Sequence, residues 1–316
     1  MKKIRVGVVG VGYLGKFHAE KYARMSAVEL VGVVDINPSQ AKKIAALFNT
    51  DAYTRPDQLL GKVDAVSIAV PTPAHFTVGR ELLENNIDVL IEKPLTTRLD
   101  EADELINCAE GRGLILQVGH LERFNPATIA LQDIVRRPLF IEAHRLSTYT
   151  RRNTDVSVVL DLMIHDIDII LNFVQAGVTT IHAAGAPVVC ENVDIANARL
   201  EFDNGCVANV TASRVSTKNQ RKLRIFQKDA YVSVDFAKHA ITLIRQDKNT
   251  CSQLIPGMDI QQLSFSRSDA LQDEVSAFIA AVCSREPPQV TGRVGRRSLI
   301  IALDIMEQIA SRLNNI

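Results

Sequence analysis

The feature that most limits the fold lies in the first 120 residues, where short β-branched runs alternate with stretches of helical periodicity. The strands read from this pattern cover residues 4–9, 29–34, 65–70, 88–91 and 114–118, and residues 13–25, 38–48, 74–85 and 99–112 carry the helical pattern. Strands joined by helices run parallel, and a parallel sheet needs helices on both faces to bury it. The expectation is therefore a doubly wound α/β half at the start of the chain.

After Gly119 the pattern changes. Asn125-Pro126 reads as an N-cap with proline at the first helical position, opening a helix to about residue 136. Longer strands are expected over residues 179–189, 194–202, 206–215, 222–227, 230–236 and 239–245, with Asp203-Asn204-Gly205 as a hairpin turn. Helices near residues 269–283 and 294–313 close the chain, and residues 248–268, with little periodicity, read as a surface loop. The expected fold is α/β, with a dinucleotide-binding Rossmann domain over residues 1–120 and a second α/β domain over 121–316 built on a large, mostly antiparallel open sheet. A length of 316 residues fits two such domains.

Composition narrows the partners. The 36 basic side chains balance 36 acidic ones, so no global field favours nucleic acid or an anionic membrane, and a small-molecule ligand is expected. The five cysteines, Cys108, Cys190, Cys206, Cys251 and Cys283, form no C-x-x-C pair and are odd in number. That argues against a disulfide framework or a thiolate metal site and fits a reducing cytoplasm. No metal is expected. The opening MKKIRVGVVGVG resembles a signal peptide, but Arg5 breaks its apolar run. No stretch approaches the 18 or so apolar residues that span a membrane.

Val6 to Gly15 reads VGVVGVGYLG, with Gly10, Gly12 and Gly15 as G-x-G-x-x-G directly after a strand and opening a helix. That context makes it a dinucleotide fingerprint: a tight turn at Gly10, close pyrophosphate approach at Gly12, and helix packing against the strand at Gly15. Tyr13 and Leu14 fill its variable positions and are assigned to the cofactor with it. Asp35 ends the next strand, where a carboxylate accepts from adenosine ribose hydroxyls and repels a 2′-phosphate. No basic residue stands at Ile36 or Asn37, so NAD is expected over NADP. Val70, Thr72 and His75 follow a later strand at the same carboxyl edge and are assigned to the cofactor as well.

Residues 157–174 are apolar except for Ser157, Asp166 and a stripe of Asp161, His165, Asp168 and Asn172 at helical spacing. A polar stripe on a buried helix suggests a cleft, and Asp161 with His165 suits a carboxylate orienting an imidazole for proton transfer. Glu92-Lys93-Pro94 follows the strand at 88–91, so the lysine emerges at the ligand-binding edge of the sheet.

GVGYLGKFHAE, then EKPL at residues 92–95, then Asp161-x-x-x-His165, in that order, resemble the glucose-fructose oxidoreductase, inositol dehydrogenase and rhizopine catabolism family, Gfo/Idh/MocA. The resemblance spans nearly the whole chain. It implies a substrate-binding C-terminal domain whose open sheet usually makes the oligomer interface, as a homodimer or homotetramer, and a Lys93–Pro94 bond that is often cis. It also implies catalytic roles for Lys93, Asp161 and His165: His165 as the base, Lys93 stabilising the developing oxyanion, Asp161 orienting the pair. Glu92 and Lys93 fall on the cofactor side as well.

VGHLERFNPA at residues 118–127 and the run from Asp155 to Leu171 are similar to the bacterial branch of that family acting on UDP-N-acetylglucosamine. The branch implies oxidation of the sugar 3-hydroxyl to a 3-keto product on the way to a lipid A precursor. Met163 stands where many members acting on free sugars carry glycine, which speaks against a free monosaccharide. A diphosphate needs cations, and Arg123, Arg145, Arg151 and Arg152 lie in the relevant segments; Arg123 and Asn125 are the substrate-binding candidates. The alternatives are a dehydrogenase of a free polyol or sugar and a non-catalytic NAD-binding sensor. The presence of Lys93, Asp161 and His165 together disfavours the sensor.

Overall fold

The computed structural model of the protein describes residues 3–150, 156–246, 258–266 and 268–314. It divides into two compact units, one of Met1–Leu121 with Asp269–Leu299, the other of Glu122–Ser268 with Ile300–Ile316.

The first unit is built on six parallel strands: β1 (Ile4–Val9), β2 (Val28–Val34), β3 (Asp51–Tyr53), β4 (Ala65–Ile68), β5 (Asp88–Glu92) and β6 (Leu116–Gly119). Their order is β3-β2-β1-β4-β5-β6, the doubly wound order that reverses direction between β1 and β4. Helices α1 (Tyr13–Arg24), α2 (Pro38–Phe48), α3 (His75–Glu84) and α4 (Leu99–Gly111) connect them. β4 is buried at every residue, as a strand covered on both faces must be. The short β3 was not legible in the sequence: Asp-Ala-Tyr lies at the sheet edge, two of the three residues exposed, and carries no apolar signal.

The second unit opens with α5 (Pro126–Ile134) and β7 (Pro138–Leu146), and α6 (Ile164–Val174) follows a single π turn over Val159–Met163. Seven further strands are β8 (Val178–Ala186), β9 (Ile195–Phe202), β10 (Val207–Ser213), β11 (Gln220–Gln227), β12 (Ala230–Asp235), β13 (Ala240–Gln246) and β14 (Met258–Ser264). The sheet order is β14-β13-β12-β11-β7-β10-β9-β8, and every pairing is antiparallel except β7 with β10. The central β7 and the edge strand β14 both depart from the sequence reading. β14 lies inside the segment expected to be a loop; it pairs with β13 from Ala240↔Ser264 to Gln246↔Met258, and as an edge strand it needs no apolar alternation.

Residues 269–299 return to the first unit, so the division is not a single cut at residue 120. The cause is packing. α7 (Ala270–Ser284) sends Val275, Phe278, Ile279 and Val282 into the same core as Val6, Val8, Ala19 and Tyr22. Beyond it, the Val118 amide donates to the Val290 carbonyl at 2.9 Å and Gln117 bridges to Thr291, which covers the free edge of β6. α8 (Gly292–Leu313) follows and crosses the division at residue 299.

Candidate active site

The glycine turn joins β1 to α1 at the point where the strand order reverses. Gly10 has φ +83°, and a Cβ there would lie 2.7 Å from the Ala69 carbonyl oxygen and the Val70 amide, so only glycine lets the two strand ends approach. A Cβ on Gly15 would collide with the carbonyl oxygen of Gly10, which places the constraint in the turn itself more than in the helix–strand packing the sequence suggested. Gly12 faces open space and caps α1 with no side-chain hydrogen bond and no acid in the first turn. The helix N-terminus therefore presents amides and a partial positive charge to whatever approaches Gly12.

Asp35 stands beside this turn. Its Oδ2 accepts from the Val11 amide at 3.1 Å and its Oδ1 from the Asn37 amide at 2.9 Å, so the carboxylate is held in place with acceptor capacity to spare. Tyr13, Leu14 and Ile36 leave apolar surface exposed nearby along the chain, Ile36 at 94%. An open glycine, an uncapped helix start, a fixed carboxylate and exposed apolar side chains fit the phosphates, ribose and flat ring of a dinucleotide.

At the end of β5, Glu92 and Lys93 are half-buried, and the Lys93–Pro94 bond is cis. Oε1 of Glu92 lies 2.9 Å from Nε2 of His18. Burial alone would raise the Glu92 carboxyl, but the hydrogen bond and charge of His18, with the charge of Lys93, hold it below the ordinary range. Val70 and Thr72 are half-buried at the neighbouring strand end.

His75 departs from expectation. It is 1% exposed, with Nδ1 2.8 Å from the Pro94 carbonyl oxygen and Nε2 3.0 Å from that of Val70, so neither ring nitrogen is left for a cofactor. Burial lowers its pKa, and the neutral ring donates to one of the two carbonyls. Its work is to hold the loops after β4 and β5 together.

In the second unit, the π turn interrupts the helix that carries the polar stripe. Its extra residue per turn shifts the register, so the stripe does not run as one continuous α-helical row from Asp161 to Asn172. Asp161, inside the turn, and His165, in the first turn of α6, are half-buried; Asp168 is 1% exposed. Met163 is wholly buried.

Arg123 does not present a free guanidinium to a substrate, as the sequence suggested. It is 6% exposed and grips Asp168, Nη2 donating to Oδ1 at 2.9 Å and to the backbone carbonyl at 3.3 Å. Arg145 is buried likewise: Nε and Nη2 donate to Asp166 and Nη1 to Glu122, all at 2.9 Å. Burial opposes its charge, but the two carboxylates outweigh that and raise its pKa. Asn125 caps α5, Oδ1 accepting from the Ala127 amide at 3.0 Å, while Nδ2 donates to Glu122. Arg123, Arg145 and Asn125, with Asp166, Asp168 and Glu122, are internal framework of the second unit. Arg151 and Arg152 lie outside the described residues, as does Cys251; among the described residues Cys108, Cys190, Cys206 and Cys283 are free thiols.

Three members of the polar interior of the first unit were not read from the sequence: His18, Gln117 and Glu274. Glu274 had a visible signal, since it shares a helical stripe with Leu271, Val275, Phe278 and Val282, where a charge is out of place.

Two family models match the chain: one described as an oxidoreductase family with an NAD-binding Rossmann fold, over residues 4–120, and a GFO/IDH/MocA C-terminal domain, over residues 134–233. The UDP-N-acetylglucosamine 3-dehydrogenase of Acidithiobacillus ferrooxidans is 39% identical over 306 residues, 96% of this chain and 97% of that protein. A solved structure of that enzyme superposes with a TM-score of 0.94 over 98% of this chain and 99% of that one, at 38% identity. The scyllo-inositol 2-dehydrogenase (NAD(+)) of Bacillus subtilis is 27% identical over 312 residues, 92% of this chain and 89% of that protein. No helix among the described residues is long and apolar enough to cross a membrane. With both domains matched, and a dehydrogenase alike in sequence and fold from end to end, the chain belongs to the Gfo/Idh/MocA family of nicotinamide-dependent oxidoreductases.

Proposed function

We propose that the protein is an NAD-dependent dehydrogenase that oxidises the 3-hydroxyl of UDP-N-acetylglucosamine to a ketone. The observation that carries this reading is the near full-length likeness, in sequence and in fold, to an enzyme of that name. Gly10, Gly12 and Gly15 with Asp35 would hold the dinucleotide, which would supply the acceptor for the hydride released from the sugar carbon.

The chain's own residues manage the proton and the charge. His165, as a neutral imidazole, accepts the hydroxyl proton. The Lys93 ammonium stabilises negative charge on the oxygen as the carbonyl forms. Asp161 orients the base. Asp35 selects NAD by repelling a 2′-phosphate.

Addition of UDP-N-acetylglucosamine to protein and NAD is expected to raise NADH absorbance, with little response to free hexoses or inositols. His165→Ala is expected to lower kcat by about 10²- to 10⁴-fold while NAD still binds, and Lys93→Ala to act in the same direction. Reduction of NAD by an inositol but by no UDP-sugar would overturn the substrate. Asp35→Ser is expected to narrow the preference for NAD over NADP by roughly tenfold or more; unchanged selectivity would overturn its role.

A further inference from the structure

Glu274 is fully buried in α7, and neither of its carboxyl oxygens has a hydrogen-bond partner among the described residues. An orphaned carboxyl in a protein interior is costly unless something in its surroundings uses it. Its surroundings are polar and come from five elements. Gln117 on β6 donates to the Glu274 backbone carbonyl at 3.2 Å and fixes that turn of α7. On α1, His18 and Tyr22 both reach Ser67 of β4, at 3.3 and 2.7 Å. From β5 comes Glu92, and a ring nitrogen of His18 and one carboxyl oxygen each of Glu92 and Glu274 all lie within 4.8 Å of one another. The titratable groups around this point are His18 and Tyr22 from α1, Glu92 and Lys93 from the end of β5, His75 from α3, and Glu274 itself.

Two carboxyls this close, one fully buried and the other half-buried, do not both ionise at modest cost, and one proton must remain. The asymmetry of their partners decides where. Glu92 has His18 and Lys93 to favour its charge, whereas Glu274 has burial and the charge of Glu92 against it. Both influences push the Glu274 carboxyl well above its ordinary range.

We propose that Glu274 is a positioning residue: it remains a neutral acid, and by keeping its proton it leaves Glu92 ionised against His18, which fixes the strand end that carries Lys93. An ionised Glu274 would force a proton onto Glu92 and weaken its bond to His18, one residue before the lysine. This role rests on Lys93 acting at the reacting centre, as proposed above; the protonation state itself does not.

Infrared difference spectroscopy between the wild-type protein and Glu274→Gln at neutral pH tests the first half without any substrate. A protonated-carboxyl band that shifts in heavy water and is absent from Glu274→Gln is the expected result. No such band in the wild type, or one that persists in the variant, would overturn the proposal. So would a stoichiometric divalent cation that the wild type binds and Glu274→Gln does not, since the trio would then be a metal site with an ionised Glu274.

The second half is read from turnover. Glu274→Gln mimics the neutral acid and is expected to keep kcat within about twofold, and to lack the decline in kcat expected of the wild type as Glu274 ionises at high pH. Glu274→Leu, which fills the space without the polar group, is expected to lower kcat roughly tenfold with a smaller change in KM for NAD. Equal kcat and equal pH profiles in all three proteins would overturn the positioning role. Should no sugar be turned over, the infrared result still decides the protonation state, so the two readings fail separately.

Discussion

Arg123 and Asp168 form a two-pronged ion pair inside the second unit, Nε to Oδ2 at 2.5 Å and Nη2 to Oδ1 at 2.9 Å, with both side chains less than a tenth exposed. Breaking a buried pair from one side costs about 3–5 kcal/mol, because the remaining charge loses its two-pronged partner, whereas replacing both with apolar residues of similar volume is close to neutral. Arg123→Ala is therefore expected to lose about that much in urea unfolding, and Arg123→Met with Asp168→Leu to recover most of it. A loss confined to substrate KM, with stability unchanged, would return Arg123 to the substrate.

The glycine turn separates folding from binding. Gly15→Ala drives a Cβ into the Gly10 carbonyl oxygen, backbone that cannot move without opening the turn. It is expected to cost more than about 3 kcal/mol. Gly12→Ala meets nothing within 4 Å and is expected to cost about 1 kcal/mol at the helix cap, yet to weaken dinucleotide binding by at least about tenfold. Thermal melts with and without NADH distinguish the two; equal stability losses would overturn the distinction.

Asp194 gives the second unit a defined acid limit. It is wholly buried, and Oδ2 accepts from the amides of Val188, Val189 and Cys190 at 2.9, 2.6 and 2.9 Å. Burial alone would raise its pKa, but these donors bring it down to about 2. A depressed carboxyl stabilises the fold above its unfolded pKa of about 3.9 and loses that contribution as pH falls toward about 2, a window worth roughly 2–3 kcal/mol. Stability measured from pH 5 down to pH 2 should fall less steeply in Asp194→Asn than in the wild type. The variant should start lower at pH 5, and parallel pH curves would overturn the assignment.

The parallel half of the fold was legible because its signals are local. Buried strands read as apolar runs, a glycine pattern follows the first of them, and Asp35 directly follows the next. β3 and β14 were not legible, because edge strands are held by backbone pairing and carry little apolar pattern. β7 was missed for a different reason. Glu142, His144 and Arg145 interrupt its apolar residues, and Arg145 belongs to the interior only because Glu122 and Asp166 await it there.

The sequence by itself determined the strand–turn–helix that opens the first unit and the family, and it singled out Lys93, Asp161 and His165 as candidates. Each of these rests on residues close together in the chain or on an ordered set of short motifs. Only the tertiary structure decided which charged groups are framework. Arg123 faces Asp168, 45 residues away, and Glu274 joins Glu92 from α7 because an apolar stripe carries that helix back into the first core. Burial and pairing set the state of a charged side chain, and both depend on neighbours that the local sequence does not name.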